Sequence, residues 1–301
     1  MKILITGGFG FIGKRFIRKL GGEHQLVIFA TKKDINKIRE NHLFKNIVFE
    51  QGKIEDEKVI DIISKHKPDV ILHLAALTGL QKCYEDPDRA FLVNVYGTHN
   101  VITGCIKSNS KLIFISSREV YGETNDIESI EENDLKPNNV YGLTKLIGES
   151  LVKIASLSYN LDYTIFRITN VYGPEGDAYG AQIILQNAIK EKKIRILGGN
   201  QKLNFIFVDD VVKILEKSLD SSATSKQTFN LGSKNTLSIE EYVIKIKEIL
   251  DFPIIVERYP MRKTETINFH PSLSKLNKFF GNMHKTSIDD GIKNTIEWYS
   301  K

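Results

Sequence analysis

Tyr141 and Lys145 stand four residues apart in an amphipathic stretch, a spacing that puts both side chains on one face of a helix. An ammonium beside a phenol favours the phenolate. A tyrosine that ordinarily titrates near pH ~10 then becomes a usable general acid or base close to neutrality. Taken alone, such a pair is equally compatible with an exposed helix face. A second candidate is Ser116-Ser117-Arg118-Glu119-Val120-Tyr121-Gly122, which closes an apolar run. A hydroxyl at the carboxyl end of a strand can hold a substrate oxygen, or simply cap a loop. A third is Thr6-Gly7-Gly8-Phe9-Gly10-Phe11-Ile12-Gly13. Glycines at 7, 10 and 13 allow a tight turn and let backbone approach a pyrophosphate at a helix N-terminus, where free N–H groups and the helix dipole favour anions. The spacing G-x-x-G-x-x-G lies in the strand–turn–helix context that dinucleotide binding requires.

These groups need a scaffold, and the hydrophobic pattern supplies one. Ile3–Thr6, Leu26–Phe29, Ile47–Phe49, Val70–His73, Leu112–Ser116 and Tyr163–Ile168 read as strands apolar on both faces, the mark of a parallel sheet covered by helices. Phe11–Leu20, Lys58–Lys65, Pro87–Ile106 and Val140–Ser158 read as the helices between them. The rhythm predicts an α/β fold, a Rossmann-type doubly wound parallel sheet. Beyond Asn170 the segments become less regular. The expected division is a dinucleotide-binding domain over 1–169 and a smaller α/β substrate part over 170–301, from which 204–232 returns to the first domain.

Composition narrows the function. The 301 residues are 41% hydrophobic and 26% charged, ordinary for a globular protein. The net charge of +5, from 42 basic and 37 acidic residues, is spread along the chain, so no nucleic-acid partner is expected. Two cysteines, Cys83 and Cys105, give neither a disulfide framework nor a metal pattern. The seven histidines form no ligand pair, and no metal is expected. The chain opens directly on a strand, without leader-like character, and no window suits a membrane span. The cytoplasm is the expected compartment.

The end of the second strand reads Phe29-Ala30-Thr31-Lys32-Lys33. A carboxylate there would bond the adenosine ribose of NAD and repel the 2′-phosphate of NADP. It is missing, and lysines follow, so the reading leans to NADP over NAD, with Thr31 and Lys32 as contacts.

With these motifs in order, the chain resembles the extended short-chain dehydrogenase/reductase family, in its nucleotide-sugar epimerase/dehydratase branch. The likeness runs over nearly the whole sequence. Gly7 to Gly13 matches the family's cofactor loop, with Phe11 and Ile12 inside it. His73-Leu74-Ala75-Ala76 is similar to the fourth-strand segment along the cofactor, and Asn94-Val95-Tyr96-Gly97-Thr98-His99-Asn100 to its Asn-x-x-Gly-Thr-x-Asn helix. Ser117, Tyr141 and Lys145 match the active-site trio. Arg167-Ile168-Thr169-Asn170-Val171-Tyr172-Gly173-Pro174 and Phe205 to Val211 resemble two further signatures, which place Ile168 at the cofactor and Asn170 at the substrate. Arg262 matches an arginine on the substrate's phosphates.

The resemblance implies that Tyr141 takes a proton from a sugar hydroxyl as hydride passes to the nicotinamide, Ser117 holds the oxygen, and Lys145 lowers the Tyr141 pKa and contacts the nicotinamide ribose. It implies an epimerase first. An NADPH-dependent reductase of a 4-keto-deoxy nucleotide sugar comes second. Third is a 4,6-dehydratase or decarboxylase using Glu119, which the resemblance places at the position of those enzymes' acid/base glutamate. A non-catalytic dinucleotide sensor would be expected to lose the tyrosine or the lysine. Several positions depart from the family pattern: Arg118 beside Glu119, Lys53 before Ile54 at the adenine end, Cys83, Glu175 and Leu203. They point to a sugar outside the commonest ones, or to one held differently. Helices Pro87–Ile106 and Val140–Ser158 carry more apolar positions than one sheet face needs, and in the family they build a dimer bundle, so a homodimer is expected.

Overall fold

Alternation along the first strand decides the layers. Ile3 and Ile5 enter one apolar cluster and Leu4 enters another, because successive side chains of a strand point to opposite faces. The structure, a computed structural model, describes residues 1–31, 47–124, 128–176, 180–220, 222–262, 265, 267–283 and 285–300. Lys32 and Lys33 therefore lie outside the described residues.

The strands are β1 Lys2–Thr6, β2 Gln25–Ala30, β3 Ile47–Gln51, β4 Val70–His73, β5 Lys111–Ser117, β6 Glu128–Ser129, β7 Tyr163–Ile168, β8 Asn170–Tyr172, β9 Lys193–Leu197, β10 Lys202–Phe207, β11 Gln227–Leu231, β12 Asn235–Ser238, β13 Ile255–Tyr259 and β14 His270–Pro271. Seven of them form one sheet in the order β11-β7-β5-β4-β1-β2-β3. Every neighbouring pair in it is parallel, so crossover segments must cover the faces. Helices Phe11–Leu20 and Val208–Leu219 cover one face, and Lys58–His66, Gly97–Ser108 and Val140–Tyr159 cover the other. The sheet grows outward from β1 in one direction through β2 and β3 and in the other through β4, β5 and β7. That reversal opens a crevice above the carboxyl ends of β1 and β4.

β11 joins this sheet from late in the chain. The rest of the region after residue 170 packs around a third apolar cluster that includes Tyr172, Leu185, Phe205, Tyr242 and Ile292. It contains a three-stranded sheet β12-β10-β8 and a parallel ribbon of β9 and β13. Glu175, a departure from the family pattern, is buried there and ion-paired to Arg18 at 3.0 Å. Arg15 of the same first helix binds Asp209 through Nε and Nη2. The acid thus ties the first helix to the later region.

The expected helix over Pro87–Ile106 is continuous but contains a π-turn. Helix Pro87–Phe91 passes through a π-turn, Leu92–Tyr96, before helix Gly97–Ser108 begins. Such turns shift helix register by one residue. Asn94 lies inside it, buried, and reaches the backbone of Leu77: Leu77 N–H donates to Oδ1 at 2.7 Å and Nδ2 donates to Leu77 O at 3.1 Å.

Beneath the crevice lies a buried ion pair. Arg167 on β7 bonds Glu149 through Nε and Nη2 at 2.9 and 2.8 Å. The Ser116 hydroxyl donates to the same carboxylate at 2.6 Å, and Arg167 Nη1 donates to Tyr121 Oη at 2.8 Å. Tyr121 in turn donates to Asn230 on β11 at 2.8 Å. Replacing Glu149 with Ala strands a fully buried guanidinium, which costs about 3–5 kcal/mol. The urea unfolding midpoint of E149A is expected to fall accordingly, and E149Q, which keeps one acceptor, is expected to lie between it and the parent.

Candidate active site

A cavity of about 970 Å³ occupies the crevice. Its floor begins at the glycine loop. Gly7 has φ +67°, and a Cβ there would stand 2.7 Å from Ala75 N. At Gly13 a Cβ would stand 2.5 Å from Gly8 O. Only glycine permits the positive φ and these backbone approaches. Gly10 caps helix Phe11–Leu20 without a side chain, so no hydroxyl or carboxylate competes for the first N–H groups of that helix. Gly7, Gly10, Phe11, Ile12 and Gly13 all line the cavity, which makes this end an anion cradle. A dinucleotide fits these residues: the glycines leave room for it and the helix start offers donors.

The wall continues through Thr31 and Ile54 at the ends of β2 and β3, and through Leu74, Ala75 and Ala76 after β4. Lys53 also faces it and is exposed. Gly52 N–H donates to Ala30 O at 3.0 Å, so Thr31 and Lys53 lie at neighbouring strand ends. Ile168 and Asn170 close the far side. Asn94 does not line the cavity. It stands behind the wall, fixing Leu77 and bonding Thr144 Oγ1 at 3.0 Å.

Asn139 caps the helix that carries Tyr141 and Lys145, accepting from Gly142 N–H at 2.8 Å. Ser117 ends β5 opposite them, its hydroxyl accepting from Glu119 N–H at 3.2 Å and hydrogen-bonding the Tyr141 phenol. Lys145 Nζ donates to Ile115 O at 2.9 Å and lies 5.9 Å from the Tyr141 ring centre. Burial pushes Lys145 down to about 8. The Tyr141 phenol moves the opposite way. Burial raises it well above the ordinary tyrosine value, the Glu119 carboxylate adds to that, and the Ser117 hydrogen bond opposes it. Desolvation dominates the direction at Tyr141. Below Thr6, His73 accepts or donates between Thr6 Oγ1 at 2.7 Å and Thr98 Oγ1 at 3.0 Å. Burial and then the Lys145 charge push it down to about 3, so it joins strand to helix as a neutral ring.

At the other end of the cavity Glu119 is 5% exposed. Arg118 Nη2 holds its Oε1 at 2.8 Å, and Asn139 Nδ2 donates to its Oε2 at 2.9 Å. Arg262 is exposed at the rim, with Glu265 and Gln201 on the same wall. Burial raises the Glu265 carboxyl, against the lowering influence of Arg262, a Gln201 hydrogen bond and Arg118.

Asn139 and Glu265 are not among the expected site residues. Asn139 carried a usable signal, since an asparagine just before a periodic apolar run is a helix cap. Glu265 sits in an irregular loop and carried none.

The Epimerase model, described as the NAD dependent epimerase/dehydratase family, matches residues 3–232. A putative UDP-glucose 4-epimerase of Methanocaldococcus jannaschii is 29% identical over 304 residues, covering 98% of this chain and 97% of that protein. The human dTDP-D-glucose 4,6-dehydratase is 29% identical over 332 residues, covering 99% and 89%. A UDP-glucose 4-epimerase of Thermotoga maritima, solved with UDP-glucose, superposes with a TM-score of 0.90 at 27% identity, covering 100% and 99%. The glycine cradle, the serine–tyrosine–lysine cluster and the extent of these matches agree: this chain is an enzyme of the NAD-dependent epimerase/dehydratase family.

Proposed function

We propose that the enzyme is a nucleotide-sugar epimerase acting by transient oxidation of a sugar hydroxyl. The observation that carries this reading is that Ser117, Tyr141 and Lys145 converge on the same cavity as the glycine cradle. A bound nicotinamide dinucleotide supplies the hydride acceptor and donor. Tyr141 removes the hydroxyl proton and later returns it, and Ser117 holds the oxygen between those steps. Lys145, charged below about pH 8, steadies the developing phenolate. Asn170 contacts the sugar nucleotide, and Arg262 at the rim meets its phosphates. Glu119 favours the epimerase over a dehydratase or decarboxylase, because both its oxygens are engaged by Arg118 and Asn139 and it serves as a positioning group. Replacing Tyr141 with Phe is expected to lower kcat by about 10²–10⁴-fold while dinucleotide binding persists. A variant that keeps full turnover removes Tyr141 from the chemistry, and an unaltered cellular output with no turnover in either protein supports the sensor reading.

The cofactor end is read as accepting NADP as well as NAD. Thr31 stands where a carboxylate would repel a 2′-phosphate, and Lys53 stands beside it. Introducing the carboxylate as Thr31→Asp is expected to weaken NADP binding about tenfold or more and leave NAD binding little changed, as read by fluorescence titration of the reduced forms. Mass spectrometry of dinucleotide released from the purified enzyme identifies the resident form.

A homodimer is proposed on the helices beside the site. Phe91, Leu92 and Tyr96 of one segment and Leu143, Ile154 and Leu157 of the other are exposed, Leu157 at 88%. Exposed apolar groups gathered on neighbouring helices mark an association surface. Light scattering is expected to give twice the chain mass, and the pair Ile154→Asp with Leu157→Asp is expected to give a monomer. Both cysteines are free and buried, and among the described residues no helix is long and apolar enough to cross a membrane. We place the enzyme in the cytoplasm.

A further inference from the structure

Arg118 is a departure from the family pattern that lies at the cavity wall beside Ser117 and Glu119. It lines that cavity and is 6% exposed. Its guanidinium is held on two sides. Nη2 pairs with Glu119 at 2.8 Å, and the group lies 5.6 Å from the centre of the Phe269 ring. Phe269 is itself fixed in a small apolar cluster with Val120 and Tyr121. A guanidinium stacked on a ring and paired at one nitrogen has little freedom left. Its other terminal nitrogen, Nη1, is buried and has no hydrogen-bond partner. A buried N–H of a charged group without an acceptor is costly. No carbonyl or carboxylate of the described residues meets it, although Arg167 nearby, equally buried, has every nitrogen engaged.

The acceptor that suits a fixed guanidinium best is a carboxylate. We propose that Arg118 is a specificity-determining residue that binds a carboxylate carried on the pyranose ring, so that the preferred substrates are nucleotide-linked hexuronates. This rests on the nucleotide-sugar reading of the site. Two other acids stand close, and neither opposes a substrate carboxylate strongly. Glu119 is neutralised by Arg118 itself and by the Asn139 amide. Burial raises the Glu265 carboxyl, which weakens its opposition to a second carboxylate, and its Oε2 likewise lacks a partner. The same geometry explains why Glu119 sits beside an arginine here: the acid orients the guanidinium and leaves the other nitrogen for the ligand.

The test compares UDP-glucuronate with UDP-glucose on the parent enzyme loaded with NAD, by calorimetric Kd, with UDP and dTDP alone as reference ligands. The expected result is tighter binding of the uronate, on the order of 10- to 100-fold. R118M is expected to abolish that advantage and R118K to retain part of it, both with unchanged UDP affinity. Equal affinity of the parent for the two sugars overturns the proposal without needing any variant. A uronate preference that survives in R118M assigns the carboxylate to another group and also overturns it. If neither nucleotide nor either sugar nucleotide binds, the nucleotide-sugar reading itself has failed, a result that the UDP and dTDP controls separate from the other two.

Discussion

The arrangement of the site depends on one close approach, that of the β1–glycine turn to the backbone after β4. Any side chain at Gly7 would press on Ala75 N, Ala75 Cα and Leu74 C. The approach exists because β1 and β4 are the two strands between which the sheet changes its direction of growth. Their ends are held together by Thr6, His73 and Thr98, whose side-chain bonds join β1, β4 and helix Gly97–Ser108. The imidazole is neutral there, so it can accept from one threonine and donate to the other without placing a charge beneath the cradle. With the turn fixed, the first helix points its N-terminus into the crevice, and the crevice acquires its anion-binding end without any cationic side chain from that loop.

The opposite wall is positioned by a different device. Ser116 and Ser117 are adjacent on β5 and face opposite sides of the strand. Ser116 turns toward the buried Glu149–Arg167 pair, and Ser117 turns toward Tyr141. Glu149 lies on the same helix as Tyr141 and Lys145, four residues beyond the lysine. The ion pair therefore sets the depth of that helix against β5 and β7, and with it the separation of the hydroxyl from the phenol. A buried pair is seldom stabilising relative to apolar packing. Here its geometry, bidentate and extended through Tyr121 to β11, fixes one register between a helix and three strands.

The parallel strands and their order of appearance were legible in the sequence because a strand covered on both faces is written as an apolar run, as in Leu26–Phe29 and Leu112–Ile115. The glycine cradle was legible because its constraints are backbone constraints, which only one residue type satisfies. The trio was legible from helix periodicity together with the family resemblance. The π-turn at Leu92–Tyr96 was not, since it keeps the helical hydrophobic pattern and shifts it by a single residue. Nor was the place of Asn94 behind the wall, which follows from that shift. The surroundings of Arg118 were legible only as a departure. Glu119 is its neighbour in the chain, but that Phe269 lies beside the guanidinium and Glu265 approaches from a distant loop depends on contacts between segments more than a hundred residues apart, for which no local pattern exists.

The electrostatics of the trio explain how such a site avoids idle chemistry. The phenol is raised above the ordinary tyrosine value, because it is desolvated and faces the charge of Glu119. The lysine that would oppose this is weakened by its own burial and committed to Ile115 O. A strong base in an open cavity would exchange protons with water to no purpose. The general-base role proposed for Tyr141 therefore calls for positive charge and an oriented hydroxyl beside the phenol. Arg118 fits the same economy of charge. Its cation is balanced by Glu119 until a ligand oxygen reaches the remaining nitrogen, so the sugar end offers a directed donor without adding a free positive charge that would compete for the phosphates at the rim.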